Sequence, residues 1–128
     1  MRRDWELVRM LLLKVEESDD IEEFLGYENG EWRFSGDYGS FSQNQILYHV
    51  ILLINEDFIW GNLDDDDNDI KDIYGLTWKG HEYAEKLRSS PRWEKIKEEI
   101  RKKGLDLGTD TIMGLIRKGI GGIGEEGT

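Results

Sequence analysis

The sequence predicts an α+β, winged-helix-like domain: a helix, a short strand, a second helix in the recognition-helix slot, a β-hairpin wing, and additional C-terminal helices. Three observations carry this reading. Ser42–Asn55 is a continuous apolar-periodic run opened by a serine. Two short apolar segments, 58–60 and 70–76, follow it directly on either side of the loop LDDDDND, as the strands of a long-tipped hairpin would. Two further amphipathic runs then begin at Thr77 and at Ser90-Pro91.

Taken in order, Asp4–Glu17 is a helix because Trp5, Val8, Leu11, Leu12 and Val15 recur at helical spacing, with Leu7, Met10 and Leu13 widening the apolar face. Ser18-Asp19-Asp20 caps a short turn through Ile21, Phe24 and Leu25. Asn29-Gly30 marks a tight turn, since both residues tolerate positive φ, and Trp32 and Phe34 alternate with Arg33 in a strand over Glu31–Ser35. Ser42 and Gln45 form a capping box for the central helix. Its core face is assigned to Ile46, Leu47, Val50, Ile51 and Ile54, which places Gln45, Tyr48, His49, Leu52 and Glu56 outward.

Phe58–Trp60 and Ile70–Leu76 pair across the acidic loop, and Thr77 caps a helix over Trp78–Arg88. Ser90 caps the next helix with Pro91 at its first position, where a missing N–H costs nothing. Trp93, Ile96 and Ile100 face inward there, Glu98/Lys102 and Glu99/Lys103 pair at i, i+4, and Gly104 ends it. A short helix is expected over 110–118, and the glycine-rich 119–128 is expected to be a flexible tail behind a single domain of residues 1–118.

A chain of 128 residues can bury a core without covalent staples, and 38% apolar content with 11% aromatics favours a folded chain. The absence of cysteine excludes disulfides, thiolate nucleophiles and cysteine-ligated zinc, and fits a cytoplasmic setting. Arg9 and Lys14 break the apolar run at the N-terminus and no small-residue cleavage site follows, so that segment is not read as a signal peptide. No stretch approaches the roughly 20 apolar residues of a membrane span. The net charge is −11 and unevenly spread. Residues 1–70 hold 18 acids against 5 bases, whereas residues 71–118 hold 12 bases against 8 acids. Such an acidic surface repels phosphate and attracts basic partners.

A calcium loop of the EF-hand type needs glycine at its sixth position and glutamate at its twelfth. Starting from Asp64 these positions hold Asp69 and Gly75, and from Asp65 they hold Ile70 and Leu76, so the acidic loop is read as solvated and self-repelling, without metal. GIGGIG at 119–124 fits G-x-G-x-x-G in letters, but it does not lie between a strand and a helix, so no dinucleotide cofactor is assigned. Neither His49 nor His81 has metal-ligand spacing around it. His81 reads as a helix histidine bonded to a backbone carbonyl near the core; for His49 that reading stands level with a place on the outward face. No nucleophile or acid–base constellation appears, so a non-enzymatic protein without cofactor is expected.

Three segments, MRRDWELVR (1–9), YHVILL (48–53) and LTWKGHEY (76–83), with WEKIKEEI (93–100) after them, resemble a family of small bacterial and prophage-encoded proteins described as a domain of unknown function. Its members begin M-[KR]-R-D-x-[DE]-L-[IV]-R and carry Y-H-x-x-L-L and L-T-W-x-G-H-[DE]-[FY]. The resemblance spans most of the chain and implies a winged-helix-like fold with no assigned activity. Members end the central helix in E-A-G-L-I, where this chain has Asn55-Glu56-Asp57-Phe58-Ile59, leaving Asp57 for the left-handed position that glycine would take. The acidic wing is a second departure.

The function expected from these readings is a non-enzymatic interaction module, phage- or prophage-associated, that modulates a host protein. Its partner is a basic protein or a second copy, bound at Gln45, Tyr48, His49, Leu52 and Glu56 beside the acidic wing. A winged-helix DNA-binding regulator is the alternative, as is an acidic mimic of nucleic acid directed at a host or defence protein. Gln43, Asn44 and Gln45 could read adenine, yet no Arg or Lys lies between Arg33 and Lys71 to neutralise phosphate. Nucleic acid is therefore disfavoured, and no membrane is expected.

Overall fold

Asp4 sets the first helix in place. In the computed structural model, which describes residues 2–66 and 69–103, its carboxylate accepts the N–H groups of Glu6 (2.9 Å) and Leu7 (3.1 Å). This satisfies two of the donors that every helix start leaves open. The helix α1 (Trp5–Glu17) buries Leu7, Val8, Leu11, Leu12 and Val15, each burial worth about 1.5–3 kcal/mol. It stops where Ser18 becomes extended and its hydroxyl donates back to the Lys14 carbonyl at 2.8 Å.

A single 3₁₀ turn, Ile21–Glu23, follows, capped by Asp20. Strands β1 (Leu25–Glu28) and β2 (Glu31–Phe34) then pair antiparallel, from Leu25↔Phe34 to Glu28↔Glu31. Asn29 (φ 52°) and Gly30 (φ 80°) supply the two positive φ values that a two-residue hairpin turn requires. The sequence foretold the turn and β2 but not β1, whose LGYE has a glycine and a charge where alternation would show. Phe24 packs edge-on to Phe34, ring centroids 5.5 Å apart. Burial pushes the Tyr38 phenol up to about 12, so it stays a donor to the Ser35 carbonyl at 2.9 Å.

Both halves of the expected capping box open α2 (Gln43–Asn55): the Gln45 N–H donates to Ser42 Oγ (3.1 Å) and the Ser42 N–H to Gln45 Oε1 (2.8 Å). The Gln43 amide side chain bonds both the N–H (2.8 Å) and the carbonyl (3.1 Å) of Phe34, pairing with β2 as a neighbouring strand would. The buried residues of α2 are Ile46, His49, Val50 and Leu53. The expected core face is therefore rotated: Leu47, Ile51 and Ile54 are half-buried, and Leu53 takes the interior.

Asp57, the expected left-handed residue, has φ 66° and ends α2. The Asp57 N–H donates to the Ile54 carbonyl (3.1 Å) and the Phe58 N–H to that of Leu53 (2.8 Å), the two bonds of a Schellman cap. An aspartate held left-handed costs about 1 kcal/mol relative to glycine. Asp57→Gly is accordingly expected to stabilise the fold by up to about 1 kcal/mol in urea denaturation, and a loss of stability would contradict this account of the cap.

Strands β3 (Ile59–Leu63) and β4 (Ile70–Leu76) form the second antiparallel hairpin. Its register jumps from Trp60↔Gly75 to Gly61↔Ile73, and from Asn62↔Asp72 to Leu63↔Ile70. Tyr74 and Lys71 are thus extra residues, bulged out of the ladder. The inward positions of β4 fall at Ile70, Ile73 and Leu76, every third residue instead of every second. Gly61 fills a close approach at the upper bulge, where a Cβ would meet the Asp72 carbonyl oxygen at 2.5 Å.

Helices α3 (Trp78–Leu87) and α4 (Ser90–Lys103) complete the described residues, which thus form four helices and two hairpins, an α+β arrangement. Ser89, not Ser90, caps α4, its carbonyl accepting the Trp93 N–H at 2.9 Å. The chain divides into two compact units, residues 1–81 and residues from 82 onward. In the first, α1 packs on α2 and β4, and α2 packs on β3. In the second, Tyr83, Ala84, Leu87, Trp93 and Ile96 are buried. Exposed i, i+3 pairs such as Glu98–Arg101 (2.6 Å) line α4, worth a few tenths of a kcal/mol each. The expectations for the side chain of Ile100, for the helix over 110–118 and for the tail at 119–128 lie outside the described residues. No described helix is long and apolar enough to cross a membrane.

Candidate functional site

His49, expected on the outward face of α2, is buried, with 1% of its surface exposed. Its Nδ1 lies 2.7 Å from the Gln45 carbonyl, an acceptor, so the ring hydrogen sits on Nδ1. That leaves Nε2 to accept the Asp4 backbone N–H at 2.8 Å. One imidazole therefore ties the start of α1 to the middle of α2, while the Asp4 carboxylate caps α1. The wheel failed here because α2 carries apolar residues on nearly every side, so its polar positions could not fix the phase.

The remaining residues of the expected surface divide. Tyr48 is half-buried, its ring edge-on to His49 at 5.5 Å, and Leu52 and Gln45 are half-buried as well. Glu56 is exposed, and its carbonyl accepts the Lys79 ammonium at 3.2 Å. His81, expected near the core, is exposed.

The segment 76–83 performs a second joining task. The Thr77 hydroxyl donates to the Asp57 carbonyl (2.6 Å) and accepts the Gly80 N–H (2.9 Å), so one oxygen caps α3 and holds the end of α2. The Thr77 N–H donates to the Phe58 carbonyl at 3.1 Å, and Lys79 lies 4.5 Å over the Phe58 ring. Gly80 passes so close to Phe58 that a Cβ on it would meet the Phe58 carbonyl oxygen at 2.1 Å. Asp4, His49, Thr77 and Gly80 thus serve architecture: they join α1 to α2 and α2 to α3.

Among the described residues the large apolar side chains left open to solvent are aromatic. Tyr27, Trp60, Tyr74 and Trp78 are all more than half exposed. Trp60 and Tyr74 lie together on the β3–β4 hairpin, ring centroids 5.1 Å apart and tilted by 48°. Strict alternation along IKDIYGL puts Tyr74 on the same side as Ile70 and Leu76; the two bulges reverse it, and nothing in the sequence marks them except Gly61 and Gly75. Toward the hairpin tip the Asp64 N–H bonds the Asp69 carbonyl at 3.0 Å and the Ile70 N–H bonds the Asp69 carboxylate at 2.8 Å. Among the described residues no group of three or more histidines or carboxylates is arranged to hold a metal ion. Residues 67 and 68 of the acidic loop lie outside the description.

Comparison with known proteins finds similarity over most of the chain. The family described as "Hypothetical protein (DUF2513)" matches residues 2–106. An "Uncharacterized protein" of Haemophilus influenzae is 33% identical over 113 residues, which cover 88% of this chain and 89% of that protein. No solved structure matches.

Proposed function

We propose for this chain, which belongs to the DUF2513 family, a role as a non-enzymatic interaction module that binds a protein partner. In this reading the arrangement is winged-helix-like, with α2 in the recognition slot and β3–β4 as the wing. One observation carries the choice of protein over DNA: two of the three amides at the start of α2 that could read bases are already engaged, and Asn44 alone is left exposed. Gln43 is bonded to Phe34 and Gln45 to Ser42. No Arg or Lys between Arg33 and Lys71 supplies phosphate neutralisation in their place. With its acidic wing the module suits a basic protein, and the prophage setting of the resembling family suggests a modulator of a host protein acting in the cytoplasm.

The test is binding to duplex DNA in a mobility-shift assay at about 150 mM salt, where nonspecific binders reach 10⁻⁴–10⁻⁶ M. No shift is expected below micromolar protein. A sub-micromolar shift would overturn the reading in favour of a DNA-binding regulator.

A further inference from the structure

We propose that the β3–β4 hairpin, with Trp60 and Tyr74 exposed near its base and aspartates toward its tip, docks an arginine-bearing basic segment of a partner protein laid along it. This deepens the interaction reading above and rests on it. Trp60 and Tyr74, on the two strands of a two-stranded sheet, expose 59% and 54% of their surfaces. Interfaces enrich aromatics, which give large contact area with few torsions to freeze. The register bulge puts Tyr74 there: as the extra residue between Ile73 and Gly75 it leaves the ladder and turns onto the Trp60 ring, with Gly75 at φ 148° absorbing the distortion. Removing the bulge by restoring simple alternation would bury Tyr74 and turn Ile73 outward.

Charge complementarity identifies the occupant. Beyond the aromatic pair the hairpin carries Asp64, Asp65, Asp66, Asp69 and Asp72, against the single base Lys71. A basic segment laid along the hairpin meets the aromatic pair at one end and carboxylates at the other, which suits a cation that can both stack flat and bond carboxylates in pairs. Guanidinium does both, whereas an ammonium does neither well. Bases of single-stranded nucleic acid would stack on the same rings, but their phosphates would meet the aspartates. A second copy would bring to this face the same aspartates and the single base Lys71, and so offers the carboxylates little positive charge.

The probe is a fluorescein-labelled arginine–glycine repeat peptide of about twelve residues, with lysine–glycine and glutamate–glycine repeats beside it, read by anisotropy on the full chain at about 50 mM salt. The arginine peptide is expected to bind about tenfold more tightly than the lysine peptide, the glutamate peptide not at all. Trp60→Ala/Tyr74→Ala and, separately, Asp64→Asn/Asp65→Asn/Asp66→Asn should each weaken it about tenfold, while Trp78→Ala leaves it unchanged. The second variant changes only exposed or half-exposed tip side chains, so its result stands whether or not the first folds normally. Equal binding of the arginine and lysine peptides, indifference to both variants, or no binding overturns the proposal. So does self-association in sedimentation that Trp60→Ala abolishes, which would make a second copy the occupant. A captured protein partner indifferent to both variants would overturn this surface and leave the interaction reading standing; sub-micromolar DNA binding would overturn both.

Discussion

Gly80→Ala is expected to destabilise the protein by about 3 kcal/mol, lowering its melting temperature by roughly 10–15 °C. Alanine is otherwise the better helix former by about 1 kcal/mol, so propensity alone predicts the opposite sign. Geometry decides the outcome. The added Cβ would sit 2.1 Å from the Phe58 carbonyl oxygen, and that oxygen is backbone, held by the Thr77 N–H and flanked by the Schellman cap of α2. Neither side can yield without breaking the bonds from Thr77 to Asp57 and Phe58. Urea denaturation of Gly80→Ala beside Trp78→Ala, an exposed neighbour in the same helix, isolates the effect: a loss under 1 kcal/mol for Gly80→Ala would show that the Gly80 backbone does not pass so close to the Phe58 carbonyl.

His49→Ala is expected to cost about 3–4 kcal/mol, the sum of a buried ring removed and two hydrogen bonds lost. Most of the penalty comes from the groups left behind. The Asp4 N–H would lose its acceptor at the very residue whose carboxylate caps α1, and the Gln45 carbonyl would lose its added donor. His81→Ala, at an exposed position, should change stability by no more than about 0.5 kcal/mol. Comparable losses for the two histidines would remove the distinction drawn between them.

Much of the fold was legible because local chemistry announced it. Ser42 and Thr77 each cap a helix where a short polar side chain precedes an apolar run, and Asn29-Gly30 and Asp57 occupy the positive-φ positions expected of them; Asp4, read as the first helical residue, is instead the cap of α1. The candidate surface was not legible, for two physical reasons. Residues 46–54 of α2 are apolar on almost every side, so a rotation of one position changes little in the pattern while moving His49 from surface to core. In β4 the bulges convert a period of two into a period of three, which exchanges the sides of Ile73 and Tyr74 without any residue type that requires it. The family motifs pointed to Asp4, His49, Thr77 and Gly80, and these are joints between elements; sequence identity there speaks for the scaffold and not for its partner.

That separation of scaffold from recognition surface is tested most directly by ¹⁵N-resolved NMR of the full chain titrated with the arginine–glycine peptide. Amide and indole shifts should concentrate in residues 59–76, led by the Trp60 indole N–H, while the amides of Asp4, His49 and Gly80 stay in place. Shifts centred on α2 around Tyr48 and His49, with the hairpin unmoved, would contradict the account.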